Sequence, residues 1–239
     1  LGGIQLRQLI AVLVAGSCVL AAACGSNAKK SSAPITTSTR PPLVAVRALD
    51  GLLLVPDDVN TVMGAKDMSV AVSYNRMSDV TAELSDNAKD CQMVVLPAQL
   101  PVYNGSRWTA VRGQSLHERG QSSEFKHTVD QAVVSFPTTT DATAFYNVST
   151  QRWAACANRN YTRTAKGESP RKWSTQAPSN TSGMLSIHRP EEGGNGWNCQ
   201  RALTVRNNVA VDVLACSFTD GDFGVNVAQL IANRVVAAR

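Results

Sequence analysis

Two strand-like runs, residues 197–206 and 209–218, are separated only by Asn207-Asn208. Asn tolerates the positive φ that a two-residue hairpin turn demands. Counting outwards from Arg206 opposite Val209 brings Cys199 opposite Cys216. Pair types alternate along an antiparallel ladder, and this pair falls on a non-hydrogen-bonded position. There the Cα atoms approach to about 4.5 Å, within reach of a disulfide. Of the remaining cysteines, Cys18 and Cys24 lie in an N-terminal apolar stretch, which leaves Cys91 with Cys156 as a second bridge. On loop-closure grounds the long bridge contributes about 4 kcal/mol and the hairpin bridge about 3 kcal/mol. Such a framework belongs to an oxidising, exported environment. A metal site would need Cys or His at short spacings such as C-x₂-C. His117, His127 and His188 are scattered singly, so no metal and no other cofactor is expected.

The N-terminus agrees with export. Arg7 is followed by an uncharged stretch over residues 9–23, short of the roughly 20 residues that span a bilayer but of signal-peptide length. It ends in Leu20-Ala21-Ala22-Ala23-Cys24-Gly25, small residues before a cysteine that can take a diacylglycerol. The expectation is a lipoprotein signal peptide over 1–23, lipidation at Cys24, a flexible tether over 24–47 and a domain over 48–239. Cys18 is the competing acceptor, and a plain signal cleaved after Ala21-Ala22-Ala23 is the competing processing. Leu1 reads as a non-AUG start translated literally. The tether is rich in Ser, Thr, Ala, Asn and Pro and cannot bury enough surface to repay its ordering entropy. Its Lys29, Lys30 and Arg40 carry most of the net charge of +5 and sit where an anionic leaflet would attract them. The domain itself is near neutral and shows no basic face interleaved with aromatics, so no nucleic acid partner is expected. The membrane, reached through the lipid anchor on its extracytoplasmic side, is the expected partner.

Within the domain, Pro56-Asp57-Asp58 opens a helix that Gly64 closes. Strands are expected near 68–74, 108–118, 126–136, 172–176 and 184–189, with 79–91 as loop. Thr138 to Asp141 opens a second helix, whose inward face is Ala142, Phe145, Ser149, Trp153 and Cys156, at helical spacing. A last helix over 223–238 turns Val227, Ala228, Leu230, Ile231 and Val235 inwards. The fold class is α+β: an antiparallel twisted sheet with helices packed on one face, braced by two disulfides.

Leu52-Leu53-Leu54 with Asp57-Asp58-Val59 and Met63-Gly64, the Cys91 to Ser106 stretch, Phe145 with Trp153-x-x-Cys156, and the Trp197-x-Cys199 to Cys216 hairpin together resemble the extracellular sensor domain of the mycobacterial PknH-type serine/threonine kinases. The resemblance covers about residues 48–239. It implies two disulfides, an α+β fold and a large cleft for an unidentified ligand, and no catalytic residues. The resemblance departs from the kinases in one respect: this sequence carries neither kinase motifs nor a second apolar stretch.

Asp222-Phe223-Gly224 spells the kinase magnesium triplet, but without a Gly-rich loop or H-R-D motif before it the triplet reads as a cap for the last helix. G-x-S-x-G is absent, so the chain is not expected to be an enzyme; a hydrolase site assembled from distant loops is the third reading. His117 and His127, on adjacent expected strands, read as ordinary strand residues. Trp153 reads as core. Trp108, Trp173 and Trp197 fall beside Gly- and Pro-rich segments and are the candidate cleft residues, for a small-molecule, lipid or cell-wall ligand. A structural or protein-interaction role on the same surface is the alternative to a binding or sensor module.

Overall fold

The computed structural model describes residues 41–79, 83–118, 125–164, 167 and 169–238. The expected signal peptide, Cys24 and residues 24–40 of the tether lie outside them. Contact with the domain begins six residues before the expected start, where the Pro42 carbonyl accepts from Asn207 Nδ2 (2.6 Å), and continues at Val44. Its N–H donates to Asn208 Oδ1 (2.9 Å), and Asn208 Nδ2 returns to the Val44 carbonyl (3.2 Å).

The helices are α1 (Pro56–Met63), α2 (Leu100–Tyr103), α3 (Thr139–Ala154) and α4 (Phe223–Ala237), with 3₁₀ turns at Val46–Ala48, Asp50–Leu52 and Asp86–Val94. The strands are β1 (Met68–Tyr74), β2 (Glu83–Leu84), β3 (Ala110–Glu118), β4 (His127–Ser135), β5 (Asn160–Thr164), β6 (Arg171–Ser174), β7 (Ser179–Thr181), β8 (Met184–Pro190), β9 (Asn198–Arg206) and β10 (Val209–Ser217). An antiparallel seven-stranded sheet runs β1-β3-β4-β10-β9-β8-β7, and a small sheet runs β2-β5-β6. The hairpin register is the expected one, with Arg206 opposite Val209 and Cys199 opposite Cys216. Asn207 takes φ 53° at its turn. The structure joins Cys199 to Cys216 and Cys91 to Cys156, with Cα separations of 4.0 and 5.7 Å.

The local signals act as read. Pro56 begins α1, Gly64 ends it at φ 65°, and the Thr138 side chain accepts from the Asp141 N–H at 3.0 Å. The cap of α4 is different. Asp222 makes no side-chain cap bond; Gln200 of β9 supplies it, accepting from the Val225 N–H at 3.0 Å. Gly224 is required for another reason, since a Cβ there would lie 2.5 Å from the Gln200 carbonyl oxygen. Leu230, expected inward, is 41 % exposed; the buried stripe is Gly224, Val227, Ala228, Ile231, Ala232 and Val235.

The layering also differs from expectation. Helices cover both faces of the sheet, not one. Strand β10 is buried at all nine positions. Its Val209, Val211, Val213 and Ala215 enter a core with α1 and α4. Its Ala210, Leu214 and Cys216 enter a second core with α3 and the Asp86–Val94 turn. The physical reason is the near-continuous apolar run of β10, apolar at both parities, which a sheet with one wet face does not need. Of the small sheet, only β6 has an expected counterpart, the strand near 172–176; β5 has none, and β2 and the start of the Asp86–Val94 turn replace the loop expected over 79–91. The strands of this sheet are short and mostly polar, with Leu84, Tyr161 and Trp173 as their buried residues. Among the described residues no helix is long and apolar enough to cross a membrane.

Candidate functional site

On the α3 side of the sheet, a cavity of about 420 Å³ lies between the end of β1 and the Leu96-Pro97-Ala98 segment, with Ser115 and Asp130 in its lining. Ser115, Asp130 and Leu214 stand opposite one another along β3, β4 and β10, so their side chains share one face. Tyr74 closes one side. Its ring lies across Gly113, where a Cβ would sit 2.1 Å from the ring; any side chain at that strand position would displace it.

The floor is polar. Ser115 Oγ donates to the Asp130 carboxylate. Burial pushes the Asp130 carboxyl above its ordinary range, against the Ser115 hydrogen bond and the positive fields of Arg201 and Arg163. Burial also holds the proton on the Tyr74 hydroxyl, helped by the carboxylates of Asp130 and Asp212. A carboxyl, a phenol and a hydroxyl thus meet beside an apolar wall, as in sites that orient a small polar ligand.

The wall is held by a buried network. Ala98 takes φ 51°, a left-handed conformation that disfavours a side chain. Its N–H donates to Asp212 Oδ2 (2.9 Å) and its carbonyl accepts from Ser78 N–H (2.9 Å). Asp212 Oδ2 also accepts from the Tyr103 hydroxyl (2.9 Å), and Oδ1 from Arg201 Nη2 (2.5 Å). Arg201 donates further to the Val213 and Met93 carbonyls and lies 5.4 Å from the Trp153 ring centroid.

None of the three histidines lines this cavity. His127 Nδ1 lies 2.5 Å from Glu118 Oε1, His117 stacks on Phe125 at 3.8 Å, and His188 contacts Asn198 and Gln200. Ser115 therefore has a carboxylate but no imidazole, which is not the arrangement of an activated nucleophile. Among the described residues no group of three His, Cys, Asp or Glu is placed to hold a metal.

The three tryptophans are not brought together in this cavity. Trp173 on β6 is 4 % exposed, with the guanidinium carbons of Arg189 and Arg171 at 5.2 and 5.7 Å from its ring centroid. Trp197, just before β9, lines another cavity beside Phe218. Trp108, just before β3, packs partly buried against the α3-side core at the other end of the sheet. The residues that line or support this cavity carry sequence signals of another kind. Gly113, under the Tyr74 ring, interrupts a strand; Asp130 in the lining and Asp212 behind the wall are carboxylates within strands.

A family model described as PknH-like extracellular domain matches residues 44–237. The chain is 36 % identical over 197 residues, 82 % of its length, to the serine/threonine-protein kinase PknH of Mycobacterium bovis and to that of Mycobacterium tuberculosis. It spans 32 % and 30 % of those two proteins, about a third of their length. The crystal structure of the extracellular domain of PknH from Mycobacterium tuberculosis matches with a TM-score of 0.75 at 32 % identity, covering 82 % of this chain and 98 % of that one.

Proposed function

This chain belongs to the PknH-like extracellular domain family, and from that premise we propose that it is a non-enzymatic sensor module. It binds a small polar ligand in the Tyr74–Asp130 cavity and is held at the outer face of the membrane by a lipid on Cys24. The observation that carries the binding role is the half-buried Asp130 carboxyl on the floor of a 420 Å³ cavity. Core packing does not call for a carboxylate there, and acids with perturbed proton affinity in clefts mark functional sites. The strained Ala98 in the same wall supports the reading, since strain of this kind collects at ligand clamps.

Asp130→Asn tests it. The neutral isostere removes a poorly solvated charge, so the variant should be at least as stable as the parent at pH 7 while losing its ligand. The pH dependence has a definite sign. A carboxyl whose folded pKa is raised favours folding most below its unfolded value, and that contribution is lost as pH rises through the folded value. The stability gained by Asp130→Asn should therefore shrink as the pH is lowered towards 4, roughly the unfolded carboxyl value. Native mass spectrometry of the chain purified from its own envelope should show a retained small molecule in the parent and none in the variant. Equal retention in both removes Asp130 from the site.

The anchor rests on the Leu20 to Cys24 sequence. Cys24→Ala should abolish metabolic lipid labelling and release the protein from membranes. Undiminished labelling would reject Cys24 as the acceptor.

A further inference from the structure

The second cavity, about 340 Å³, lies at the end of the sheet away from the Asn207-Asn208 turn. Its position follows from the hairpin register. Trp197 and Phe218 stand one two-residue step beyond Cys199 and Cys216, so they fall on the same face as the disulfide, which pins them side by side. Their ring centroids are 4.9 Å apart with planes at 56°, and Phe218 is 43 % exposed.

The turn before Trp197 is built to present it. Gly193, Asn195 and Gly196 all take positive φ. Trp197 N–H donates to the Gly194 carbonyl (2.9 Å), and Glu191 N–H to the Trp197 carbonyl (3.0 Å). A Cβ at Gly194 would stand 2.9 Å from Glu191 Cβ and 3.1 Å from Trp197 Cβ. Across the cavity, the Glu191 carboxylate accepts two hydrogen bonds from the Arg171 guanidinium. The Glu191 side chain is only 7 % exposed and that of Arg171 is 44 % exposed.

The chemistry of these walls narrows the ligand. A purely apolar molecule would strip water from the Arg171–Glu191 pair without replacing it. An anion finds the guanidinium already neutralised by Glu191. A molecule with one apolar face and a rim of hydroxyls meets both walls: its C–H face lies on the rings, and its hydroxyls bond the planar charged pair and Asn195. We infer that this cavity is a binding site for a neutral saccharide, with a pyranose ring on the Trp197–Phe218 pair and hydroxyls held by Arg171 and Glu191. The site is separate from the Tyr74–Asp130 cavity and stands without it.

The test is titration of the full chain with cellotetraose, mannotetraose and chitotetraose, read by calorimetry and tryptophan fluorescence. At least one should bind saturably and quench or shift the fluorescence. Trp197→Ala and Arg171→Gln should each weaken it by about tenfold or more, a loss of about 1.4 kcal/mol. Asp130→Asn should leave it unchanged. Arg171→Gln replaces a part-exposed side chain and serves where Trp197→Ala fails to fold, its denaturation midpoint confirming the fold. No binding of any of the three at concentrations near 10 mM, where even affinities weaker than about −4 kcal/mol register, overturns the proposal. So does binding that both variants leave intact.

Discussion

Asp212→Ala should lose about 3–5 kcal/mol of stability, as expected when one partner of a buried ion pair is removed and the other stays behind. Asp212 and Arg201 are both almost completely buried and meet at 2.5 Å. The substitution would leave the guanidinium with carbonyl partners alone, and would also unpair the Tyr103 hydroxyl and the Ala98 N–H. Against an ordinary total of about 5–15 kcal/mol, that is enough to unfold a marginal domain. Urea denaturation measures it. A double variant, Asp212→Ala with Arg201→Met, should recover part of the loss, because it removes the stranded charge and returns apolar volume against Trp153. The amide of Ala98 should exchange faster in the single variant, since its acceptor is gone. A loss below about 1 kcal/mol, the range of a surface pair, would mean that water reaches the pair and that the cavity wall is not held by it.

Removing the Cys91–Cys156 bridge, by alanine at both positions, should lose about 4 kcal/mol; removing Cys199–Cys216 should lose about 3 kcal/mol. The order follows from sequence separations of 65 and 17 residues. The long bridge joins the Asp86–Val94 turn to Cys156, two residues past α3, linking two pieces of one face that are distant in sequence. The hairpin cysteines are already brought together by a two-residue turn and a full ladder. Guanidinium denaturation of the two double variants decides the order. A larger loss from the hairpin bridge would show that local packing around it, and not loop closure, sets its contribution.

The elements that could be read directly from the sequence are those whose determinants are local. Pro56 and Gly64 bound α1, Thr138 caps α3, and the two-residue turn sets the hairpin register. What escaped depends on partners far away in the chain. The division of helices between two faces follows from apolar side chains at both parities of β10, a pattern that a reading for helices on one side passes over. In β5 only Tyr161 is buried, so its run of polar residues has no strand period to detect. Rarity makes the tryptophans conspicuous; none of the three enters the Tyr74–Asp130 cavity, but Trp173, almost fully buried between two arginines, and Trp197 each line another cavity. Asp212 reads locally as a break in an apolar strand, and Asp130, between Thr128 and Gln131, reads as one more polar strand residue. Each becomes informative only once the cross-strand neighbours are known.

The two margins of the seven-stranded sheet are unequal. On one side β7 has three residues, all exposed. On the other, β1 has seven uncharged residues, with Val70 and Val72 facing solvent and a register shift between them. Open margins recruit further strands, and long ones without charge do so most readily. Lateral growth into a fibre requires every molecule to offer two such margins, whereas this one offers a single margin of useful length. Two copies meeting through β1 would each have spent it, and the combined sheet would end on both sides in the short β7. Assembly by that route stops at a pair.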